Sequence, residues 1–293
     1  PSPTWPPTRG SARSWPPSAA SRDTLSARSG AAGARLRALA MTPPAESFGP
    51  WRLRRVASTG LGLIVDGLDH ADGVTAAPAS YVDEVLLTEP HREAFFALID
   101  AAGLVVCRQV GGDEATHAPV RGRSSRGRLS QSELYHHDGC SGPTKPRVVE
   151  IRCPYQALPR AIATAIAPFR ETVHAMLEAL SPELRTADPD VVRWHATLAA
   201  DGALADDDYD GAQGAVNRIV RMAMNAEATR AYFRAVDLRV GAYREPWQMG
   251  ESRFIANANP TRTMEHRRAY LEEPGRPNGR LVKRWPAGPE MHD

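Results

Sequence analysis

The run His136-His137-Asp138, read with the distant His266, constrains this chain more than any other feature. In extended backbone, residues i and i+2 share a face. His136 and Asp138 therefore point to one side and His137 to the other. A histidine from a distant strand, His266, would complete two imidazoles and one carboxylate on one side of a metal ion. The chain must then bring two remote segments together. Such a ligand set leaves three positions open and points to non-haem Fe(II) oxygenases. The open positions let a cosubstrate and dioxygen bind together. Against this stands a blander reading: His-x-Asp occurs by chance, and a lone histidine is more often a structural residue than a ligand.

The C-terminal stretch adds weight. It runs Asn257-Ala-Asn-Pro-Thr-Arg-Thr-Met-Glu-His266-Arg-Arg-Ala-Tyr270 and continues with Asn278-Gly-Arg280-Leu-Val-Lys-Arg284-Trp285. Here the chain resembles the taurine dioxygenase family of Fe(II)/2-oxoglutarate enzymes. That family carries an early His-x-Asp, a distal His followed by Arg and an aromatic residue, and then Arg-x-x-x-Arg, in this order. The resemblance covers roughly residues 45–287. It implies a mainly β fold with flanking helices, a double-stranded β-helix or jelly roll, with the site in its open mouth. It implies that His136, Asp138 and His266 hold Fe(II), with 2-oxoglutarate and dioxygen as cosubstrates.

Further roles follow from the same resemblance. Thr164, in the run 160–167, inherits the position of a threonine that helps to bind 2-oxoglutarate. The family usually has glycines before it, where this chain has Arg160 and Ala161. Arg280 is the clamp for the far carboxylate, since a guanidinium stays charged and binds two oxygens at once. It follows His266 by a few residues more than is usual, and the turn-forming segment 272–278 absorbs the excess. Arg284, an even number of residues on, faces 2-oxoglutarate or the substrate. The alternative for either is an ordinary surface arginine. Asp138 argues against halogenation, because the halogenating branch replaces that carboxylate. The expected activity is oxidation of a small molecule, hydroxylation above all. A secondary-metabolite or amino-acid-like substrate is expected, with Tyr135, Arg152, Trp247 and Arg253 as residues that could face it.

The pattern along the chain is consistent with this. Residues 61–65, 103–107, 134–138, 147–153, 251–257 and 280–285 read as strands. Residues 81–101, broken near Pro90, and 169–180 and 226–236 read as helices. Residues 199–214, with Asp206, Asp207, Asp208 and Asp210, read as a mobile acidic loop without the ligand spacing of a calcium site. The loop 121–128 carries Arg121, Arg123, Arg126 and Arg128. It has no interleaved aromatic residues to stack on bases, so it reads as a solvated loop or a lid.

Composition narrows the class. A hydrophobic content of 42% supports a real core, and a net charge of +2 does not mark a nucleic-acid binder. Only Lys145 and Lys283 are lysines, so arginine abundance says little about function. Cys107, Cys140 and Cys153 are odd in number and have no zinc-type spacing, which favours a reducing compartment and a cytoplasmic enzyme. No stretch approaches a membrane span. Residues 1–40, rich in Pro, Ser, Ala and Arg, read as a disordered tail or upstream extension, with Met41 opening the catalytic domain at 41–293. Homo-oligomerisation stays open. Two other classes compete: a metal-binding jelly-roll protein without turnover, and an oxygenase directed at nucleic acid through the 121–128 loop.

Overall fold

The structure, a computed structural model, describes residues 47–48, 51–59, 61–70, 82–89, 91–108, 118–119, 133–138, 145–153, 162–200, 202–248, 250–258, 263–270 and 281–285. The expectations for residues 1–40, for the arginine loop at 121–128, for Cys140 and for Arg280 lie outside them.

Among the described residues, ten strands form two sheets. They are β1 (Ser47–Phe48), β2 (Trp51–Thr59), β3 (Gly62–His70), β4 (Leu104–Cys107), β5 (Ala118–Pro119), β6 (Val148–Cys153), β7 (Ile162–Pro168), β8 (Glu251–Ala256), β9 (Met264–Tyr270) and β10 (Leu281–Trp285). The larger sheet has the order β1-β2-β3-β4-β8-β6-β10-β5, and β7 pairs with β9 in the smaller one. The pairing is antiparallel except between β3 and β4. Parallel neighbours need a crossover, and this one contains a π-helical turn, Val82–Leu86, and helix α1 (His91–Ala102). The remaining helices are α2 (Phe169–Ala179), α3 (Pro182–Arg185), α4 (Pro189–Ala199), α5 (Asp208–Ala223) and α6 (Ala226–Val240).

Alternation along the strands sorts the core into three parts. Leu104, Val106, Val149, Ile151 and Ile255 of the larger sheet pack with Ile166 and Met264 of the smaller one. The opposite face, with Val105, Cys107, Val148, Phe254 and Ala256, packs beneath α1. Phe95 meets Phe254 edge to face at 5.0 Å. Ala165 and Ala167 of β7 belong to a third cluster with apolar residues of α2, α4, α5 and α6. Each large apolar side chain buried in these layers contributes on the order of 1.5–3 kcal/mol.

Two glycines are required by geometry. A Cβ on Gly62 would lie 1.9 Å from the Leu104 carbonyl oxygen, so β3 and β4 approach this closely only with glycine there. Gly103 has φ +76 and closes α1, its N–H donating to the Ile99 carbonyl at 2.7 Å.

Two expectations need correction. Segment 134–138 is not a strand: it touches its neighbour at a single bridge, His136 with His266. The acidic run is not a mobile loop. Asp208 and Asp210 form the first turn of α5, where the helix N-terminus favours negative charge. Tyr209, Ala212, Gln213, Val216, Asn217 and Val220 recur at helical spacing and are buried.

Candidate metal centre

The site is built where the smaller sheet meets the irregular segment 133–138. His266 lies on β9 opposite Ile166 of β7, on the face that looks toward the larger sheet. His136 is held against it by a reciprocal pair of backbone bonds, 3.2 Å and 3.0 Å. The two imidazoles lie 4.5 Å apart between centroids. Asp138 completes the group. Its Oδ1 is 3.5 Å from His266 Nε2 and 3.8 Å from His136 Nε2. One ligand atom from each of the three residues lies within 4.8 Å of the others, and among the described residues no other cluster of this kind occurs.

The donor set fits a metal ion. His136 Nδ1 lies 2.8 Å from the Leu134 carbonyl, which can only accept. Nδ1 therefore carries the proton, and Nε2 presents a lone pair to the centre. Burial, with His266 beside it, pushes the His136 pKa down to about 4. The ring is thus neutral at pH 7. His266 Nε2 is buried and has no hydrogen-bond partner, as expected of an atom reserved for a ligand. Burial alone would raise the Asp138 pKa. His266, Arg284 and His136 instead hold it well below the usual carboxylate range. Two imidazoles and one carboxylate form a donor set that suits a divalent ion, and at His136 there is no proton to displace.

The backbone around Asp138 is held by one side chain. Asn257, fully buried just beyond β8, accepts from the Asp138 N–H at 2.8 Å and donates to its carbonyl at 2.9 Å. Arg284 of β10 donates through Nε to Asp138 Oδ2 at 2.5 Å, with half of its side chain exposed. One carboxylate oxygen thus faces the histidines and the other an arginine.

His137 points to the opposite side, fully buried. Its Nδ1 is 3.6 Å from Glu265 and its Nε2 is 3.5 Å from Asp210 of α5. Burial raises the Glu265 pKa well above the usual carboxylate range. Tyr135 and Arg267 also point to this side, and both bond Asp237 of α6.

Other residues expected from sequence fall as follows. Thr164 is buried on β7, two residues along from Ile166 and hence on the face of His266. Arg284 is at the centre. Tyr135 and Arg152 do not face it. Tyr135 is buried beneath the helices, where its hydroxyl bonds Asp237 at 2.8 Å. Arg152 lies on the far face of β6, paired with Glu150 and Asp83 at 2.8 Å each. Alternation is the reason: each is an odd number of residues from a position on the site face. Arg253 and Trp247 do lie between the sheets, stacked at 3.9 Å. Arg253 is occupied there by Glu251 and by the Glu245 carbonyl. Sequence reasoning assigned no role to Asn257, Asn217 or Asp237. Only a polar residue directly after an apolar strand hinted at Asn257, and nothing in the sequence named its partner.

No protein-family model and no curated protein matches the chain. Solved structures similar to it include AAD-2 in complex with Mn(II) and N-oxalylglycine, at 13% identity and TM-score 0.39, covering 82% of this chain and 99% of that one. PvcB, an Fe, alpha-ketoglutarate dependent oxygenase from an isonitrile synthetic pathway, matches at 12% identity and TM-score 0.39, covering 83% and 94%. Asparagine oxygenase matches at 14% identity and TM-score 0.30, covering 65% and 76%. At such identities and scores the likeness assigns no activity. Among the described residues, no helix is long and apolar enough to cross a membrane.

Proposed function

We propose that the protein is an Fe(II)- and 2-oxoglutarate-dependent dioxygenase that hydroxylates a small molecule, its catalytic domain spanning 41–293 on a jelly-roll core. One observation carries the reading: two imidazoles and one carboxylate converge within 4.8 Å from two remote segments, and the His266 Nε2 is buried without a hydrogen-bond partner. A two-histidine, one-carboxylate set with open positions suits non-haem Fe(II).

His136, Asp138 and His266 would hold the ion. Fe(II), when bound, supplies the activation of dioxygen that couples decarboxylation of 2-oxoglutarate to oxidation of an unactivated carbon. The chain's own residues do the rest. Thr164 lies on β7 two residues, roughly 7 Å, from Ile166, the partner of His266, and would help to bind the cosubstrate. Arg280 clamps the far carboxylate of 2-oxoglutarate through its planar fork. Arg284 neutralises the outer oxygen of Asp138 and leaves part of its guanidinium exposed for 2-oxoglutarate or an anionic group of the substrate. The apolar residues between the sheets restrict water. An amino-acid-like or secondary-metabolite substrate fits a site of this charge.

The test is anaerobic addition of Fe(II) and then 2-oxoglutarate, followed by oxygen. A weak visible charge-transfer band, and oxygen-dependent succinate that depends on His136, Asp138 and His266, is the expected result. Metal binding with neither band nor succinate overturns the oxygenase reading in favour of a metal-binding protein.

A further inference from the structure

Resting on the metal site proposed above, we infer that Asn257 is a positioning residue that sets the distance between the carboxylate ligand and the two histidine ligands. The three ligands do not share one scaffold. His266 belongs to the smaller sheet, and His136 is tied to it by two backbone bonds. Asp138, two residues further on, has left that contact. Its side chain is gripped by Arg284 of the larger sheet, and its backbone by Asn257. The centre therefore sits on a seam, and its dimensions depend on what ties Asp138 to the larger sheet.

Asn257 replaces a missing strand neighbour. A side-chain amide offers one acceptor and two donors in a plane, much as a peptide unit does. Here the acceptor takes the Asp138 N–H at 2.8 Å. The amide nitrogen gives one bond to the Asp138 carbonyl at 2.9 Å and one to the Pro146 carbonyl at 2.8 Å. The Asn257 backbone N–H donates to the Arg147 carbonyl at 2.9 Å, next to β6. Asn257 directly follows β8, so these bonds link Asp138 to two central strands of the larger sheet. The side chain is fully buried, so every lost bond leaves a polar group without water. Such geometry positions a ligand rather than merely filling space, because both backbone groups of the ligand residue are satisfied by the same side chain. Substitutions among the groups that orient metal ligands cost roughly 10–100-fold in metal affinity.

The experiment uses Co(II) alone, whose visible spectrum reports ligand geometry, titrated into full-length protein. Asn257→Leu keeps the branched shape and heavy-atom count and removes all three side-chain bonds; Asn257→Ala is the second variant if the first does not fold. The expected result is a loss of Co(II) affinity of roughly 10–100-fold with a changed spectrum, in protein that still unfolds cooperatively. A double-mutant cycle separates positioning from general destabilisation. In an Asp138→Ala background the Asn257 change should leave Co(II) affinity within about twofold, because the ligand it acts through is gone. Wild-type affinity and spectrum in the Asn257 variants overturn the inference, as does an equal loss in both backgrounds. Wild-type protein that fails to bind Co(II) overturns the metal site itself, and with it this inference.

Discussion

Asp237→Asn is expected to be among the most destabilising single substitutions in this chain. Asp237 is 1% exposed on α6. It accepts from the Tyr135 hydroxyl at 2.8 Å and from Arg267 Nε at 2.9 Å and Nη2 at 2.5 Å, and Arg244 Nε lies 3.3 Å away. Tyr135 precedes His136 and Arg267 follows His266, so one carboxylate ties both ligand-bearing segments to one helix. Asparagine keeps one acceptor but turns an amide NH2 toward a guanidinium and leaves Arg267 charged and buried. Breaking a buried ion pair by removing one partner costs about 3–5 kcal/mol. For a domain of this size each kcal/mol lowers Tm by roughly 2–4 °C, so a drop of about 6–20 °C is expected. Tyr135→Phe supplies the control. It removes one neutral donor while both arginines remain, and should cost about 0.5–1.5 kcal/mol. Urea unfolding monitored by circular dichroism, with m unchanged, gives both values. The joint change Asp237→Leu with Arg267→Met should recover much of the loss, because an apolar pair leaves no stranded charge. If Asp237→Asn costs less than about 1 kcal/mol, or no more than Tyr135→Phe, the carboxylate is not the hub described here.

Alanine at His136, Asp138 or His266 should each abolish turnover and weaken metal binding measured by calorimetry, whereas His137→Gln should keep one metal per chain. The reverse pattern would put the ligand phase wrong by one residue. Arg280→Leu should raise the 2-oxoglutarate requirement strongly, on the order of the 2–5 kcal/mol lost with a charge-assisted pair. Arg284→Leu should instead uncouple succinate formation from substrate oxidation, and finding the two effects exchanged would exchange the roles. Burial lowers the pKa of His174, which lies 2.9 Å from the Tyr209 hydroxyl. The unfolded chain then binds the proton more readily, so stability relative to His174→Gln should fall as pH drops through 6.5 and level off below the folded pKa. A gap in Tm that stays constant from pH 8 to 5 would refute this.

What sequence made legible was what depends on local period. The even spacing of His136 and Asp138 and the odd position of His137 are properties of extended backbone, and the structure places these side chains on opposite sides accordingly. Strands β4, β6, β8 and β10 and helices α1, α2 and α6 carry dense apolar patterns, and each lies within a few residues of its expected position. The misses have other causes. The start of α5 carries four aspartates within five positions, so polarity hid a buried stripe that begins at Tyr209. Segment 134–138 has a strand's pattern but pairs at one residue, because Asn257 and Asn217 take backbone groups that a neighbouring strand would otherwise bond. Arg152 and Tyr135 were among the residues that could face the substrate. Their phase put them on the other side, and the partners that hold them, Asp83 and Asp237, are remote in sequence.

The back of the centre explains why its front can be spare. A metal ligand must be aimed without spending its own lone pair, so the aiming falls to its neighbours. Each of His136, Asp138 and His266 has an adjacent residue that is buried on the opposite side. His137 sits between Glu265 and Asp210, Tyr135 and Arg267 meet at Asp237, and Glu265 lies beside His137. These contacts reach α5 and α6, whose other faces are fixed in the apolar helix layer. Alternation along extended backbone thus divides the labour. One face of 135–138 and 265–267 carries the donors, and the other carries the groups that anchor them. A substitution such as Asp237→Asn therefore acts on the donors through the backbone they share with Tyr135 and Arg267, without touching an ion. Changes that loosen α6 should then weaken metal binding through the histidine segments, while Asn257 variants should weaken it through Asp138. That difference follows from geometry: Asp237 anchors the histidine segments to a helix, whereas Asn257 anchors the aspartate to a different sheet.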